Sequence, residues 1–75
     1  MIDLRLWVER ARSAEVLLRE GTVHEVVGLL VEVAGIEAAT SDRLTVVDSG
    51  LVLEVVGFRD GRLLCAPLGS TAGLR

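Results

Sequence analysis

Apolar positions along this chain repeat with two different periods. From Asp3 to Glu20, Leu4, Trp7, Val8, Ala11, Ala14 and Leu18 recur at spacings of three and four. At 3.6 residues per turn these fall on one stripe about 120° wide, the pattern of an amphipathic helix. The spacing predicts a helix over residues 3–20, with Asp3 as N-cap and Gly21 just past its end. Glu15 and Arg19 form an i,i+4 pair in the favourable order. Leu6 and Leu17 fall on the opposite face, with Ile2 near them. A second apolar spot of this kind either meets a second neighbour, such as another chain, or is two surface leucines without a role.

After Gly21 the period changes to two and β-branched residues become common. Residues 22–33, TVHEVVGLLVEV, read as one long strand interrupted by Gly28, where a glycine marks a bulge or a barrel corner. Residues 35–42 read as a loop, 43–47 as a short strand and Asp48-Ser49-Gly50 as a turn. A second long strand covers residues 51–58, with Gly57 near its end. Asp60-Gly61 signals a tight hairpin, and the strand of residues 63–66 runs back to Pro67, which cannot donate to a ladder. Four or five short strands, joined by turns without intervening helices, predict an antiparallel barrel or curled sheet. The expected fold is therefore mainly β: a small antiparallel β-barrel over residues 21–75, preceded by one N-terminal amphipathic α-helix in residues 1–20. Val26, Val31, Val55, Phe58 and Leu64 are the expected core, and Gly28 and Gly57 the expected kinks.

Composition narrows the function classes. Seventy-five residues hold at most one domain. With 51% hydrophobic residues the chain is not a low-hydrophobicity disordered tail. Acids outnumber bases 11 to 8, and the net charge of -3 opposes a general phosphate-binding surface. All the bases except the single histidine are arginine, a bias that fits a GC-rich bacterial coding sequence. Trp7 and Phe58 are the only aromatic residues, too few for a stacking platform on single-stranded nucleic acid. A lone cysteine, Cys65, excludes an intrachain disulfide, and a reducing cytoplasm is the simpler setting. The N-terminus shows no basic region followed by an apolar stretch, so no secretory leader is expected, and the apolar runs are too short for a spanning helix.

The sequence has no phosphate-cradling glycine loop and no nucleophile elbow. One histidine and one cysteine cannot supply the four ligands of a structural zinc site. Cys65 lies in the apolar stretch LLCAPL and reads as a small packed hydrophobe rather than as half of a dyad with His24. Glu25, Glu32 and Glu54 sit on strands and read as a solvated face. No catalytic, cofactor-binding or metal-binding residue is expected.

The strand half also carries a family pattern. GTVHEVVGLLVEVAG over residues 21–35 and LEVVGFRDGRLLCAPLGSTAGL over residues 53–74 resemble the N-terminal β-barrel domain of the flagellar and type III secretion ATPases, relatives of the rotary ATP synthase α and β subunits. The matching positions are Gly21, Val23, Val26, Gly28, Val31 and Gly35. They continue with Glu54, Val55, Val56, Gly57, Phe58, Leu64, Pro67, Leu68, Gly69, Gly73 and Leu74. The middle strand departs from the family, with Asp42-Arg43-Leu44-Thr45 where a G-E-L-C-like stretch is usual.

The resemblance implies an oligomerisation and stator-binding domain of an export ATPase. It implies neighbouring subunits in a homohexameric ring, and a cytoplasmic position at the membrane-associated export apparatus. Any membrane contact would be indirect. Beyond Arg75 a further strand would close the barrel, and ATP and magnesium would belong to the nucleotide-binding domain that follows it. The domain itself would be no enzyme and bind no nucleic acid. A stator-like regulator would bind the N-terminal helix, making Leu4, Leu6, Trp7, Leu17 and Leu18 the candidate partner-binding residues. On that reading the helix waits for its partner, and the barrel folds without residues 1–20. The competing expectation is a free-standing small barrel that binds protein or nucleic acid.

Overall fold

A computed structural model describes residues 2–68. It contains six strands: β1 (Ile2–Glu9), β2 (Val16–Val27), β3 (Leu30–Ala34), β4 (Arg43–Val46), β5 (Val52–Arg59) and β6 (Arg62–Pro67). They form a closed barrel in the order β1-β2-β3-β6-β5-β4, with every neighbouring pair antiparallel. Consecutive strands pair directly except β3 and β4. The connection of residues 35–42 therefore crosses one end of the barrel, and it buries Ile36 there.

The core follows from alternation along strands whose inner faces converge. Leu6 and Val8 on β1, Val33 on β3, Leu44 and Val46 on β4, Leu53 and Val55 on β5, and Leu63 and Cys65 on β6 fill the interior. Leu4, Val31, Ala38 and Leu51 pack against them from the ends.

The expected helix over residues 3–20 is not found: no described residue is helical. Residues 2–9 also have a period of two, with Leu4, Leu6 and Val8 inward and Asp3, Arg5, Trp7 and Glu9 outward. The helical stripe groups Leu4, Trp7 and Val8, whereas the strand sends Trp7 to the opposite face. The strand prevails because β1 pairs along both edges. It meets β2 from Ile2↔Val23 to Glu9↔Val16, and β4 from Leu6↔Val46 to Glu9↔Arg43. A lone helix of this length is marginal in water. Pairing on two sides with burial of Leu6 and Val8 overrides the helix preference of the Glu-, Arg- and Ala-rich stretch.

The turn between these strands contains Ala14 in the left-handed region at φ 56°. There the Arg10 N–H donates to the Glu15 carbonyl and the Ala14 N–H to the Arg10 carbonyl, both at 2.8 Å. Asp3 does not cap a helix; its Oδ1 accepts the Thr22 hydroxyl across the strands at 2.8 Å. Gly21 is no helix terminus but a buried strand residue, and a Cβ there would lie 2.5 Å from Ile36 Cδ1. The expected boundary between residues 20 and 21 thus falls inside β2. The barrel also closes within the described residues, because β1 joins β4, and needs no strand from beyond Arg75.

The expected core is corrected in part. Val55 is fully enclosed, and Val31 and Leu64 are half-buried, but Val26 and Phe58 are 63% and 56% exposed. Both exposed residues sit next to hairpin turns: Val26↔Val31 lies one pair from the turn at Gly28, and Phe58↔Leu63 one pair from that at Asp60-Gly61. Two register shifts also break the alternation. One falls between Val23 and Glu25, leaving His24 as the extra residue, and the other between Val55 and Gly57, leaving Val56. The kink expected at Gly57 is this second bulge. Gly28, at φ +61°, is instead the turn that splits the expected long strand into β2 and β3. The Asp60-Gly61 hairpin is as expected, with φ of 52° and 76°, the pair of positive values a type I′ turn requires. Gly69, Gly73 and Leu74 of the family pattern lie outside the described residues.

Asp42 anchors the crossing loop. The side chain is buried, its Oδ1 accepting the Ala11 N–H at 3.0 Å and its Oδ2 the Ala39 N–H at 2.8 Å. The Asp42 carbonyl accepts from Val55 N–H at 2.9 Å, and Ser41 N–H donates to the Val55 carbonyl at 2.8 Å. One carboxylate therefore ties the β1–β2 turn to the loop across the barrel end.

Three outcomes follow for folding. Leu44→Ala should cost about 2–5 kcal/mol, as for a buried leucine, while Phe58→Ala should cost about 1 kcal/mol or less. Chemical denaturation of both variants checks the order, and a larger loss at Phe58 would contradict the fold. Asp42→Ala removes a charged acceptor shared by two backbone N–H groups and should cost about 1–3 kcal/mol. Deleting residues 1–20 removes β1 and part of β2, so circular dichroism should show loss of the strand signal rather than a surviving barrel.

Candidate interaction surfaces

The candidate partner-binding residues separate across the barrel wall. Leu6 is 1% exposed in the core, Leu4 packs on the core, and Leu17 is half-buried. None of these three forms a free face. Trp7 and Leu18 do come together: they are direct cross-strand partners on the outside of β1 and β2, 44% and 41% exposed. Val16, one outward position from Leu18, extends the patch and is 52% exposed. The helical reading placed Trp7 and Leu18 on one stripe, and the strand pairing also makes them neighbours. It missed Val16, which a period of two along residues 16–20 would have flagged.

Charges bracket this strip in register. Arg5 stands opposite Glu20 on one side of the Trp7–Leu18 row. Glu9 stands opposite Arg43 and Val16 on the other. None of these four charged residues is within ion-pair distance of another described residue.

A second apolar feature lies at the barrel end away from the crossing loop. Val26, Leu29, Leu30, Val31, Leu51 and Pro67 line a groove of about 440 Å³. Leu29, at the tip of the β2–β3 turn, is 86% exposed. The sequence stretch VVGLLV signalled apolarity here, but reading it as one strand hid the turn. A polar recess of about 500 Å³ beside the start of β1 is lined by Asp3, Arg5, Glu20, Thr22 and Asp48. Among the described residues no group of three or more His, Cys, Asp or Glu side chains is arranged to hold a metal ion. No helix among them is long and apolar enough to cross a membrane.

The carboxylates expected on a solvated face differ. Glu25 is exposed, whereas its cross-strand partner Glu32 is 4% exposed, with Oε1 3.5 Å from Arg62 Nη1. Arg62 thus offsets a charge that would otherwise be costly to bury.

Cys65 is enclosed in the core, as expected, paired with Val31 on β3 and Val55 on β5. Burial pushes its thiol up to about 11, so the nucleophilic thiolate is scarce at neutral pH. His24 sits at the β2 bulge and is half-exposed.

No family model, curated protein or solved structure matches this chain.

A thiol reagent should therefore leave folded Cys65 unmodified at pH 8 and react with it on denaturation. The unfolded thiol ionises near 9.0 and the folded one near 11, so the folded state holds the proton more tightly. Its contribution to stability is complete below pH 9 and is lost as the pH rises toward 11. Rapid labelling of the native chain would contradict this placement.

Proposed function

We propose that this chain is an assembly module: the N-terminal barrel of an ATPase of the flagellar and type III secretion class, joining subunits into a ring. One observation carries the reading. The segments that resemble the family coincide with the pieces of a closed antiparallel barrel. Residues 21–35 span the inner part of β2, the turn at Gly28 and β3, while Glu54 to Phe58 lie on β5 with a bulge at Gly57. Leu64 and Pro67 lie on β6. A closed barrel has no free edge and is stiff, which suits holding subunits at fixed spacing rather than changing shape during a reaction. ATP and magnesium belong, on this reading, to a catalytic domain of the parent protein, and the setting is the cytoplasmic side of the export apparatus. With no N-terminal helix to carry it, a stator-like contact moves to the outer strand face around Trp7 and Leu18.

The apolar groove at the open end favours a second reading, a small barrel that binds an apolar peptide. The net charge of -3 disfavours nucleic acid as its ligand. The coding sequence downstream of Arg75 distinguishes the two. A G-x-x-x-x-G-K-[ST] motif there supports the ATPase module, and an immediate stop codon overturns it.

A further inference from the structure

We propose that β2 extends the sheet into a second copy of this chain: its edge over residues 15–19 pairs antiparallel with the same edge of the other copy, centred on Leu17. The inference rests on strand pairing and register and not on the ATPase reading.

The ring of strands is closed, but β2 begins before the ring does. Residues 16–21 pair with β1, and β3 joins β2 only from Thr22↔Ala34 onward. Hydrogen bonding fixes which backbone groups this overhang leaves over. The Arg10 N–H donates to the Glu15 carbonyl, and antiparallel bonding alternates from there. Glu15, Leu17 and Arg19 therefore bond to β1, whereas Val16 and Leu18 turn their N–H and C=O groups away from it. The far side of β1 agrees in phase, with the Arg5 carbonyl accepting from Val47 N–H at 2.9 Å. Among the described residues no backbone group bonds to Val16 or Leu18 on the outer edge. The Leu18 carbonyl accepts from the Arg19 guanidinium at 2.9 Å instead. Strand edges are ordinarily blunted by proline, lysine or a bulge. Residues 16–18 read Val-Leu-Leu, with Val16 52% and Leu18 41% exposed.

The groups that an open edge offers are matched by another extended strand. The side chains select a second copy. A two-fold axis perpendicular to the sheet sets residues of like orientation opposite each other, so the register must centre on a residue. With Leu17 opposite Leu17 of the second copy, Val16 faces Leu18 of that copy, and Glu15 faces its Arg19. The symmetry makes each of these contacts twice, and Val16 and Leu18 exchange backbone hydrogen bonds across the seam. Centring on Leu18 puts Val16 against Glu20 and Leu17 against Arg19. Centring on Arg19 brings the two guanidiniums together, and centring on Val16 puts Leu17 against Glu15. Only the Leu17 register sets apolar residues against apolar ones and opposite charges at the flanks. Glu15 already meets Arg10 of its own hairpin at 3.4 Å, and Arg19 has no ion pair among the described residues. The contact thus sets Glu15 between two arginines and breaks no existing pair. Glu20, opposite Arg5 on β1, meets the uncharged Ala14.

Size limits the strength. The paired stretch is about 17 Å long. It buries less than the roughly 800 Å² per partner of a standard interface, so pairing is weak, with a Kd on the order of 0.1 mM. One partner uses up the edge, and assembly stops at two.

Sedimentation velocity and amide hydrogen exchange of the 75-residue chain, from micromolar to millimolar concentration, test the proposal. The sedimentation coefficient should rise from monomer to dimer and stop there. Exchange of the Val16 and Leu18 amides should slow several-fold over the same range. The Leu17 and Arg19 amides, bonded to β1 at every concentration, should not change. Leu18→Pro removes an outward N–H but no bond to β1, and should give a monomer with the strand signal of the parent chain in circular dichroism. Arg19→Glu and Glu15→Arg, each alone, set like charges opposite twice and should weaken self-pairing about tenfold. Mixed in equal amounts, these two variants should form a heterodimer, because both contacts then join opposite charges. The mixture decides the matter if Leu18→Pro does not fold. A monomer at every concentration overturns the proposal. So does a dimer that leaves the Val16 and Leu18 amides unprotected or ignores the charge exchange, because it uses another surface.

Discussion

The seam between β1 and β4 is the pairing on which the rest of this structure depends. The other strand neighbours are either consecutive in sequence or joined through the β3–β6 pair. Without the seam they make a curled sheet with two edges. Leu6, Val8, Leu44 and Val46 line its inner side, each 6% exposed or less. The seam both joins those two edges and completes the enclosure of the core. For a chain of 75 residues that matters, because a domain this small buries only about 60% of its unfolded surface and has little stability to spare.

Closure in turn forces the crossing of residues 35–42. Strands β3 and β4 stand apart in the ring, so their connection must pass over the barrel end. Once there it can seal the core, and Ile36 does so by occupying the space that a side chain at residue 21 would take. Glycine at that position is a matter of close approach, not of backbone angle. A loop crossing a core cannot leave its amides unsatisfied. The two oxygens of Asp42 each accept one N–H, from Ala39 of the loop and from Ala11 of the β1–β2 turn. The loop and the β1–β2 turn are thereby one structural unit, although they are far apart in sequence.

The strands that were legible in the sequence are those whose ends carry turn chemistry. Asp48-Ser49-Gly50 and Asp60-Gly61 delimit β5 on both sides, and Pro67 marks the end of β6. The N-terminal quarter was misread because its pattern satisfies both periods. Leu4 and Val8 are spaced for a helix and also for one face of a strand, and Trp7 fits the helix stripe while belonging outside the barrel. The deciding factor, a partner strand at residues 43–46, lies far along the chain, and no local window contains it. The core was misjudged for a related reason. Phe58 is large and apolar, but where a strand side chain ends up depends on its distance from the turn and on any bulge before it. Of the candidate contact residues, Trp7 and Leu18 lie side by side and exposed on the strands, as they would on a helix stripe. Cross-strand pairing brought together two residues that helical spacing had also grouped. Leu6 lies in the core, because alternation sends it inward.

The two ends and the outer wall of the barrel are chemically unlike, and this asymmetry bears on what the protein does. One end is capped by its own loop, with a buried carboxylate holding the cap. The opposite end presents Val26, Leu29, Leu51 and Pro67 around a groove that no described segment crosses. On the wall, Trp7, Leu18 and Val16 form one exposed apolar patch, and Val56 and Phe58 on β5 are exposed as well. A barrel of this size has few ways to use exposed apolar area for its own stability, since its interior is already filled. The exposed apolar residues therefore add little to the core, yet they raise the risk of non-specific association. The Cys65 thiol is enclosed in the core, while the uncovered apolar area lies on the outside. On the proposed reading as an assembly module, such a barrel would serve to keep its strand faces at fixed positions.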